Sequence, residues 1–281
     1  MNPELLVDAL ARRFGGDPYR PGAERPELAE VVSRVPGMST TYSLSVVADA
    51  VGLLDPGECY LEVGTYRGRS LVGALLGNPG ARGVGIENFG EFGGDRSAAE
   101  RELSDHLRSF GVSDRATVVT GDAFRLLPDV AVPGPVGVYL YDGVHSGFGQ
   151  YAGLGLAEPL LADRAIVMVD DATWPQVAEA TDRYVARHPG YRLLAAFDAR
   201  QQDDPLWCNG LRVYAWERPE GWRRRRSADV RSRALLQSRV TGPARAAVWR
   251  YLGDRPETLE RLRRVVVRGG TSVPEHDEDR G

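Results

Sequence analysis

The chain has 281 residues, 42% of them hydrophobic and 26% charged, with a net charge of -4; these values predict a globular α/β protein and exclude a chain that is disordered throughout. No apolar run reaches the roughly 20 residues that span a bilayer, and the segment from Met1 to Arg20 lacks the basic-then-apolar order of a signal peptide. Cys59 and Cys208 are too few for a disulfide framework and wrongly spaced for a structural zinc site, which predicts a cytoplasmic location.

The first part of the chain, residues 1–55, is predicted to form a helical N-terminal cap. Its apolar residues recur at helical spacing, as at Leu5, Leu6, Leu10 and Phe14, and again at Leu44, Val47 and Val51. The dipeptide Pro36-Gly37 interrupts this pattern, as expected between two helices.

From residue 56 onward the pattern changes to short apolar runs separated by amphipathic stretches, which is typical of βα units around a mostly parallel sheet. The five runs are Tyr60–Val63, Gly83–Ile86, Ala116–Thr120, Val136–Tyr141 and Ala165–Val169. Between the second and third runs, Ser97 and Glu100 have the spacing of a helix capping box, just after Gly93-Gly94.

A helix at about 175–188 and two further strands are predicted to complete a core domain over residues 56–218. The strands, Arg192–Phe197 and Leu211–Trp216, are joined by a polar segment rather than a helix, so they predict an antiparallel hairpin at one sheet edge. The sheet is therefore expected to have seven strands.

The last part, residues 219–281, is predicted to be an arginine-rich helical extension with a frayed acidic end. It carries 15 Arg and 9 acids, whereas residues 1–218 carry 20 Arg and 30 acids. An apolar helical face at Leu259, Leu262 and Val266 favours packing on the sheet or on a second copy of the chain. Nucleic-acid binding is the less favoured alternative, because aromatic side chains are not interleaved with the arginines.

Candidate ligand-binding residues directly follow the strands, where ligands bind in an open α/β sheet. The first strand leads into Glu62-Val63-Gly64-Thr65-Tyr66-Arg67-Gly68, the second into Glu87 and Asn88, and the third into Gly121-Asp122-Ala123. A glycine pair by itself is explained equally well by a tight strand-to-helix turn. The G-x-G-x-x-G spacing of a dinucleotide site is absent.

This series of an acid, spaced glycines and later acids resembles motif I and its successor in class I methyltransferases, over about residues 40–217. The resemblance implies a Rossmann-like α/β fold and S-adenosylmethionine as the cofactor. It also implies the cofactor contacts. The methionine end would be held by Glu62, Gly64, Thr65, Tyr66 and Gly68, the ribose by Glu87 with Asn88, and the adenine by Asp122 with Ala123.

A second constellation follows the fourth and fifth strands. Asp142 and His145 end the fourth, and Asp170 and Asp171 end the fifth, so three carboxylates and one histidine are expected to converge at neighbouring strand ends. Carboxylate oxygens suit a hard cation such as Mg²⁺. A divalent cation that holds a substrate hydroxyl would lower its pKa for attack on a methyl group.

The Asp142-Gly-Val-His145 element with the later Asp170-Asp171 pair resembles the bacterial family that includes macrocin-type sugar O-methyltransferases, which are related to catechol-type O-methyltransferases. The resemblance implies Asp142, Asp170 and Asp171 as metal ligands, and Asp142 and His145 as catalytic residues with His145 as the general base. The chain contains no lysine to serve as that base.

Two departures from the family pattern leave the substrate contacts open, since Val144 stands where a second acid is frequent and Gly147-Phe148 where an aromatic-acid pair is frequent. In an alternative without metal, Asp142 and Asp170 orient the cofactor amine and cap the following helices.

The sequence therefore predicts a homo-oligomeric O-methyltransferase that acts on a hydroxyl of a small molecule, either a sugar or an aromatic natural product. Three alternatives stay open at this stage. They are a metal-independent methyltransferase, a protein that binds the cofactor without catalysis and has a regulatory role, and an RNA methyltransferase.

Overall fold

The computed structural model describes residues 1–90 and 95–222. Helices in this part are α1 (Glu4–Phe14), α2 (Leu28–Arg34), α3 (Thr41–Val51), α4 (Arg69–Leu76), α5 (Arg96–Ser109), α6 (Ala123–Leu126), α7 (Gly147–Ala157) and α8 (Pro175–Val185). Strands are β1 (Cys59–Val63), β2 (Gly83–Glu87), β3 (Ala116–Thr120), β4 (Val136–Tyr141), β5 (Leu161–Asp170), β6 (Tyr191–Phe197) and β7 (Leu211–Glu217). Beyond residue 222, the extension predicted for residues 219–281 lies outside the described residues.

The seven strands form one sheet in the order β3-β2-β1-β4-β5-β7-β6. Neighbouring strands from β3 to β5 are parallel, whereas β7 runs antiparallel to both β5 and β6. The predicted fold class, with its antiparallel edge hairpin, is confirmed. Chain order reverses between β1 and β4, and this switch point is where an open α/β sheet forms a crevice at its carboxyl edge.

The central strands are mostly apolar because helices cover both faces of the sheet. Along β4, Val138 and Leu140 pack with the N-terminal helices on one face, while Tyr139 and Tyr141 pack with α7 and α8 on the other. This alternation follows from the two-residue period of a strand. Each fully buried large side chain of this kind contributes about 1.5–3 kcal/mol through removal from water.

The N-terminal helices pack on the first of these faces and reach the β6–β7 hairpin. Phe14 of α1 contacts Phe197 and Trp207, with ring centroids 5.3 Å and 5.5 Å away. Trp207 is fully buried, stacks on Phe197 at 4.1 Å and donates its indole N–H to the Pro18 carbonyl. The segment between β6 and β7 is therefore anchored on the residues that follow α1.

Local details differ from the sequence predictions at two places. The capping box at Ser97 is wrong, because Asp95 caps α5 by accepting a hydrogen bond from the Ser97 N–H, so the helix begins one residue before Ser97. Strand β5 begins at Leu161 rather than Ala165. Exposed Arg164 interrupts the apolar run, yet its backbone pairs with Glu217 of β7.

Among the described helices, none combines the length and the apolar character needed to cross a membrane.

Candidate active site

The loop after β1 forms one wall of the crevice, and glycines determine its path. Gly64 has φ 92°, and a Cβ atom there would lie 1.8 Å from the Asp142 carbonyl oxygen. Only glycine permits this close approach of β1 to the end of β4. Gly68, with φ 90°, is the N-cap of α4, so the predicted strand-to-helix turn runs from Gly64 to Gly68.

Glu62 lies on β1 just before this loop and is 1% exposed. The Tyr60 hydroxyl donates to its Oε2 at 2.6 Å, while Oε1 has no hydrogen-bond partner among the described residues. Burial is the largest influence on this carboxyl group and raises its pKa to about 7, against the Tyr60 hydrogen bond and the nearby Ser70 and Thr65 hydroxyl groups, which favour the charged form. An unpartnered, buried carboxylate oxygen is costly and indicates that a ligand group completes the site.

Glu87 ends β2 and ties this strand to the loop after β1. Its Oε2 accepts the Tyr66 N–H at 2.6 Å, and its Oε1 accepts the N–H groups of Asn88 and Phe89, both at 2.7 Å. Asp122 caps α6 by accepting the Phe124 N–H at 2.9 Å. These contacts order the mouth of the crevice.

The predicted ribose and adenine contacts surround one small cavity of about 60 Å³. Glu87, Asn88, Asp122 and Ala123 all line it, together with Gly64 and Asp142. The structure thus brings residues from the ends of β1, β2, β3 and β4 together. Their roles toward a cofactor stay predictions.

A cluster of titratable side chains lies at the ends of β4 and β5. Asp142, His145 and Asp171 each offer one donor atom, and these atoms lie within 4.8 Å of one another. His145 Nε2 is 2.7 Å from Asp171 Oδ2 and 3.5 Å from Asp142 Oδ1. His145 is positioned between the end of β4 and α7, whose N-cap Ser146 accepts the Gly149 N–H.

Asp170, the remaining acid of the predicted metal set, is not part of this cluster. Its Oδ1 accepts the Asp171 N–H at 3.1 Å. Burial, followed by the nearby carboxylates of Asp142 and Asp171, raises the pKa of Asp170 well above its ordinary value. Among the described residues, the close group therefore consists of two carboxylates and the imidazole of His145, and the predicted metal ligands stay a prediction.

The carboxylates dominate the electrostatics of His145. Burial acts to lower the pKa of the ring, but hydrogen bonding and charge from Asp142 and Asp171 outweigh burial and raise the pKa to about 10. At neutral pH the ring is therefore protonated when nothing else compensates the two carboxylates. In that state it donates a proton and cannot accept one.

Asn209, which contacts the cluster, was not predicted from the sequence. Asn209 lies two residues before β7, and its side chain donates to Asp171 Oδ1 at 2.8 Å. The polar segment before β7 and the dipeptide Asn209-Gly210 resemble a plain turn, so no local signal connects Asn209 with Asp171 across the sheet.

The cluster forms part of the lining of a larger cavity of about 350 Å³. Predicted cofactor residues Gly64, Thr65, Tyr66 and Glu87 line the same cavity, whereas Gly68 does not. Two other stretches complete the wall, namely Pro36–Ser39 and the residues Gln202, Asp203 and Asn209. Trp174 also lines it, with its ring 5.0 Å from that of His145.

Arg69 holds the N-terminal part of this wall in place. Its guanidinium donates to the carbonyls of Val35, Ser39 and Val32, at 2.7 Å, 2.8 Å and 3.1 Å. These carbonyls lie in and after α2, so the first residue of α4 fixes the segment that precedes α3. Arg69 therefore links this part of the cavity wall to the start of α4, directly after the loop that follows β1.

The sheet and the strand-end site first define a class, that of α/β enzymes with the class I methyltransferase fold. Residues 61–172 match a family model described as a methyltransferase domain. Asp142, His145 and Asp171 all lie inside the match. The class I methyltransferase resemblance seen in the sequence is confirmed, and the protein is an enzyme. No sequence among the curated proteins matches the chain.

Solved structures share the fold at low sequence identity. Cofactor-bound Rv0187 from MTB is 21% identical with a TM-score of 0.54, over 77% of this chain and 97% of the other. The O-methyltransferase TomG from Streptomyces achromogenes, involved in tomaymycin synthesis and solved with S-adenosylmethionine, is 16% identical with a TM-score of 0.54, over 77% and 100%. An O-methyltransferase from Bacillus cereus, solved with S-adenosylhomocysteine, is 14% identical with a TM-score of 0.54, over 75% and 100%.

Proposed function

We propose that the protein is an S-adenosylmethionine-dependent O-methyltransferase that methylates a hydroxyl group of a small molecule. The observation that carries the proposal is a shared cavity. The loop from Gly64 to Tyr66 and the cluster of Asp142, His145 and Asp171 line the same space of about 350 Å³. A methyl donor held by the loop and a hydroxyl held at the cluster would therefore lie next to each other. Holding two reactants close together and correctly oriented supplies much of the rate enhancement.

The residues present fit the cofactor. The unpartnered Oε1 of Glu62 suits the α-ammonium group of the methionine end, and Gly64, Thr65 and Tyr66 line the larger cavity. Glu87 and Asn88 would hold the ribose, and Asp122 with Ala123 the adenine, around the smaller cavity. Two of the structural neighbours were solved with S-adenosylmethionine or its product, which supports the same cofactor here.

The pKa of Glu62 makes a testable prediction about cofactor binding. Below pH 7 the carboxyl group is mostly protonated, and binding of an ammonium group requires the ionised form. The α-ammonium of the cofactor keeps its proton up to about pH 7.7, so affinity should rise about tenfold from pH 5.5 to pH 7. Isothermal titration calorimetry with S-adenosylmethionine measures this. Glu62→Gln should bind more weakly at pH 7 and lose the pH dependence; an unchanged slope in that variant contradicts the assignment.

The cluster also fits a divalent cation such as Mg²⁺, since two carboxylates supply oxygen donors close together. When bound, such a cation polarises the acceptor hydroxyl and lowers its pKa. The negative charge of Asp142 and Asp171 is what keeps the proton on His145, so His145 acts as a base only where that charge is compensated.

The proposed chemical step is transfer of the methyl group to the acceptor hydroxyl. The acceptor oxygen attacks the methyl carbon, the bond from carbon to sulfur breaks with its electron pair remaining on sulfur, and S-adenosylhomocysteine leaves. The hydroxyl proton passes to Nε2 of His145, as in general base catalysis. Trp174 closes one side of the cavity beside His145.

The acceptor class is proposed as a sugar or an aromatic natural product. The lining combines the aromatic residues Tyr66 and Trp174 with the polar residues Ser39, Gln202, Asp203 and Asn209. A small number of polar groups around an apolar wall is typical of small-molecule sites. The homo-oligomer expected from the helical additions stays a prediction, and light scattering after gel filtration measures it.

Transfer of a labelled methyl group tests the proposed function. The protein is incubated with methyl-labelled S-adenosylmethionine, Mg²⁺ and panels of sugars, glycosides and phenols, and the products are separated by mass. Labelled methyl ethers support the proposal. Products labelled on nitrogen or carbon, or on RNA alone, would overturn it.

A further inference from the structure

Asp171 has an unusual backbone conformation for a non-glycine residue. Its φ is 53°, in the left-handed region. This conformation costs of order 1 kcal/mol or more and persists only where the surrounding structure holds it. Backbone hydrogen bonds with the two residues that precede β7 help to hold this conformation. The Thr173 N–H donates to the Asn209 carbonyl at 2.9 Å, and the Ala172 N–H donates to the Gly210 carbonyl at 3.1 Å.

The Asn209 side chain then fixes the carboxylate itself. Its amide nitrogen donates to Asp171 Oδ1 at 2.8 Å, and its amide oxygen accepts the Asp203 N–H at 3.4 Å. Both ends of the amide are occupied, so its orientation is defined. Asn209 is 4% exposed, and Asp171 is 6% exposed, so water competes little for either bond.

The two oxygens of Asp171 consequently have different surroundings. Oδ1 is held by Asn209, and Oδ2 faces His145 Nε2 at 2.7 Å. Rotation of the carboxylate would break the Asn209 bond and leave a buried amide N–H without a partner, at a cost of about 1–3 kcal/mol. The side chain is therefore confined to presenting Oδ2 to the cluster.

The segment that precedes Asn209 is held by several hydrogen bonds. The backbones of Asp204 and Cys208 pair through two hydrogen bonds, 2.9 Å and 2.7 Å long. The Asp204 carboxylate accepts the N–H groups of Leu206 and Arg200, at 2.8 Å and 3.1 Å. Trp207, which lies between Asp204 and Cys208 in the chain, is buried against Phe197. This packing limits movement of the segment that carries Asn209.

We propose that Asn209 is the positioning residue of the cluster, and that it holds Asp171 so that only Oδ2 is available to a divalent cation. The proposal rests on the cation site of the proposed function. Partners that orient a metal ligand typically change metal affinity by 10–100-fold when removed. Asn209 contributes this effect from a different part of the chain than the ligands it serves.

Two variants and one control test the role. Asn209→Leu removes both amide hydrogen bonds and keeps the number of side-chain heavy atoms, and Asn209→Ala serves if the leucine variant does not fold. Gln201→Ala, an exposed change in the same segment and outside the cavity lining, is the matched control. The readout is the dissociation constant of Mn²⁺, measured from the free-ion signal in electron paramagnetic resonance, without turnover. A second readout is the split between kcat and KM.

We expect the Mn²⁺ dissociation constant to rise about 10–100-fold in the Asn209 variants and to stay within twofold in the control. We also expect kcat to fall while KM for S-adenosylmethionine stays within about twofold, because the loop after β1 is untouched. Equal Mn²⁺ affinity in folded wild-type and Asn209 variants overturns the proposal while leaving methyl transfer intact. Absence of Mn²⁺ binding in the wild type also overturns the proposal for Asn209. Absence of methyl transfer with normal Mn²⁺ binding contradicts only the proposed function.

Discussion

An Asp142→Ala variant is expected to lose about 10³-fold in kcat at saturating S-adenosylmethionine. Asp142 ends β4, lines both cavities and supplies an oxygen donor to the cluster. A bound cation contributes several kcal/mol of charge stabilisation to a reacting hydroxyl, and each 1.36 kcal/mol corresponds to a factor of ten in rate. Loss of the ligand should therefore appear in kcat and in cation affinity together.

Chelation provides the parallel measurement on the wild-type protein. Treatment with a chelator should abolish methyl transfer, and added Mg²⁺ should restore it. Asp163→Ala is the matched control, because the Asp163 side chain is 88% exposed near the opposite end of β5, where it pairs with Arg218. Full activity in chelator, with Asp142→Ala still impaired, would favour the metal-independent alternative in which Asp142 orients the cofactor.

A His145→Ala variant is expected to lose about 10²–10⁴-fold in kcat, the usual contribution of a positioned general base. The loss should be largest near neutral pH and should shrink as pH rises, because an acceptor hydroxyl that ionises by itself no longer needs a base. Steady-state rates from pH 6 to pH 10, with Mg²⁺ saturating, measure this. His106→Gln is the control, since His106 lies on α5 and contacts the Arg67 carbonyl outside the cavity.

Unchanged kcat in His145→Ala would refute the base role. The wild-type pH profile adds a second constraint from the raised pKa of His145. Without a cation, the ring holds its proton up to about pH 10, so any residual metal-free activity should rise with pH through that value. With Mg²⁺ present, the rise should move to lower pH.

Much of the fold was predictable because its central strands are buried on both faces. All seven strands coincide with apolar runs in the sequence, and β3 and β4 agree residue for residue. The start of β5 was missed because Asp163 and Arg164 are polar, although Arg164 pairs with β7. At α5, Asp95 and Ser97 are both good caps, and only the backbone geometry distinguishes them.

The site was predictable to the extent that its residues follow strands. Asp142, His145 and Asp171 converge because parallel strands bring their carboxyl ends to one edge of the sheet. Asp170 is adjacent to Asp171 in sequence but not part of the cluster, since neighbouring residues direct their side chains differently. Residue spacing alone does not resolve this choice.

Local pattern was sufficient for the fold class, the loop from Glu62 to Gly68 and the acids at the strand ends, because periodicity and glycine placement act over a few residues. Tertiary structure alone decided which acids lie near His145 and that Asn209 binds Asp171. It also decided that residues 36–39, 202–203 and 209 line the cavity. These are contacts between segments far apart in the chain. They depend on how β7 pairs with β5 and how the N-terminal helices pack on the sheet, and a single sequence carries no local signal for either.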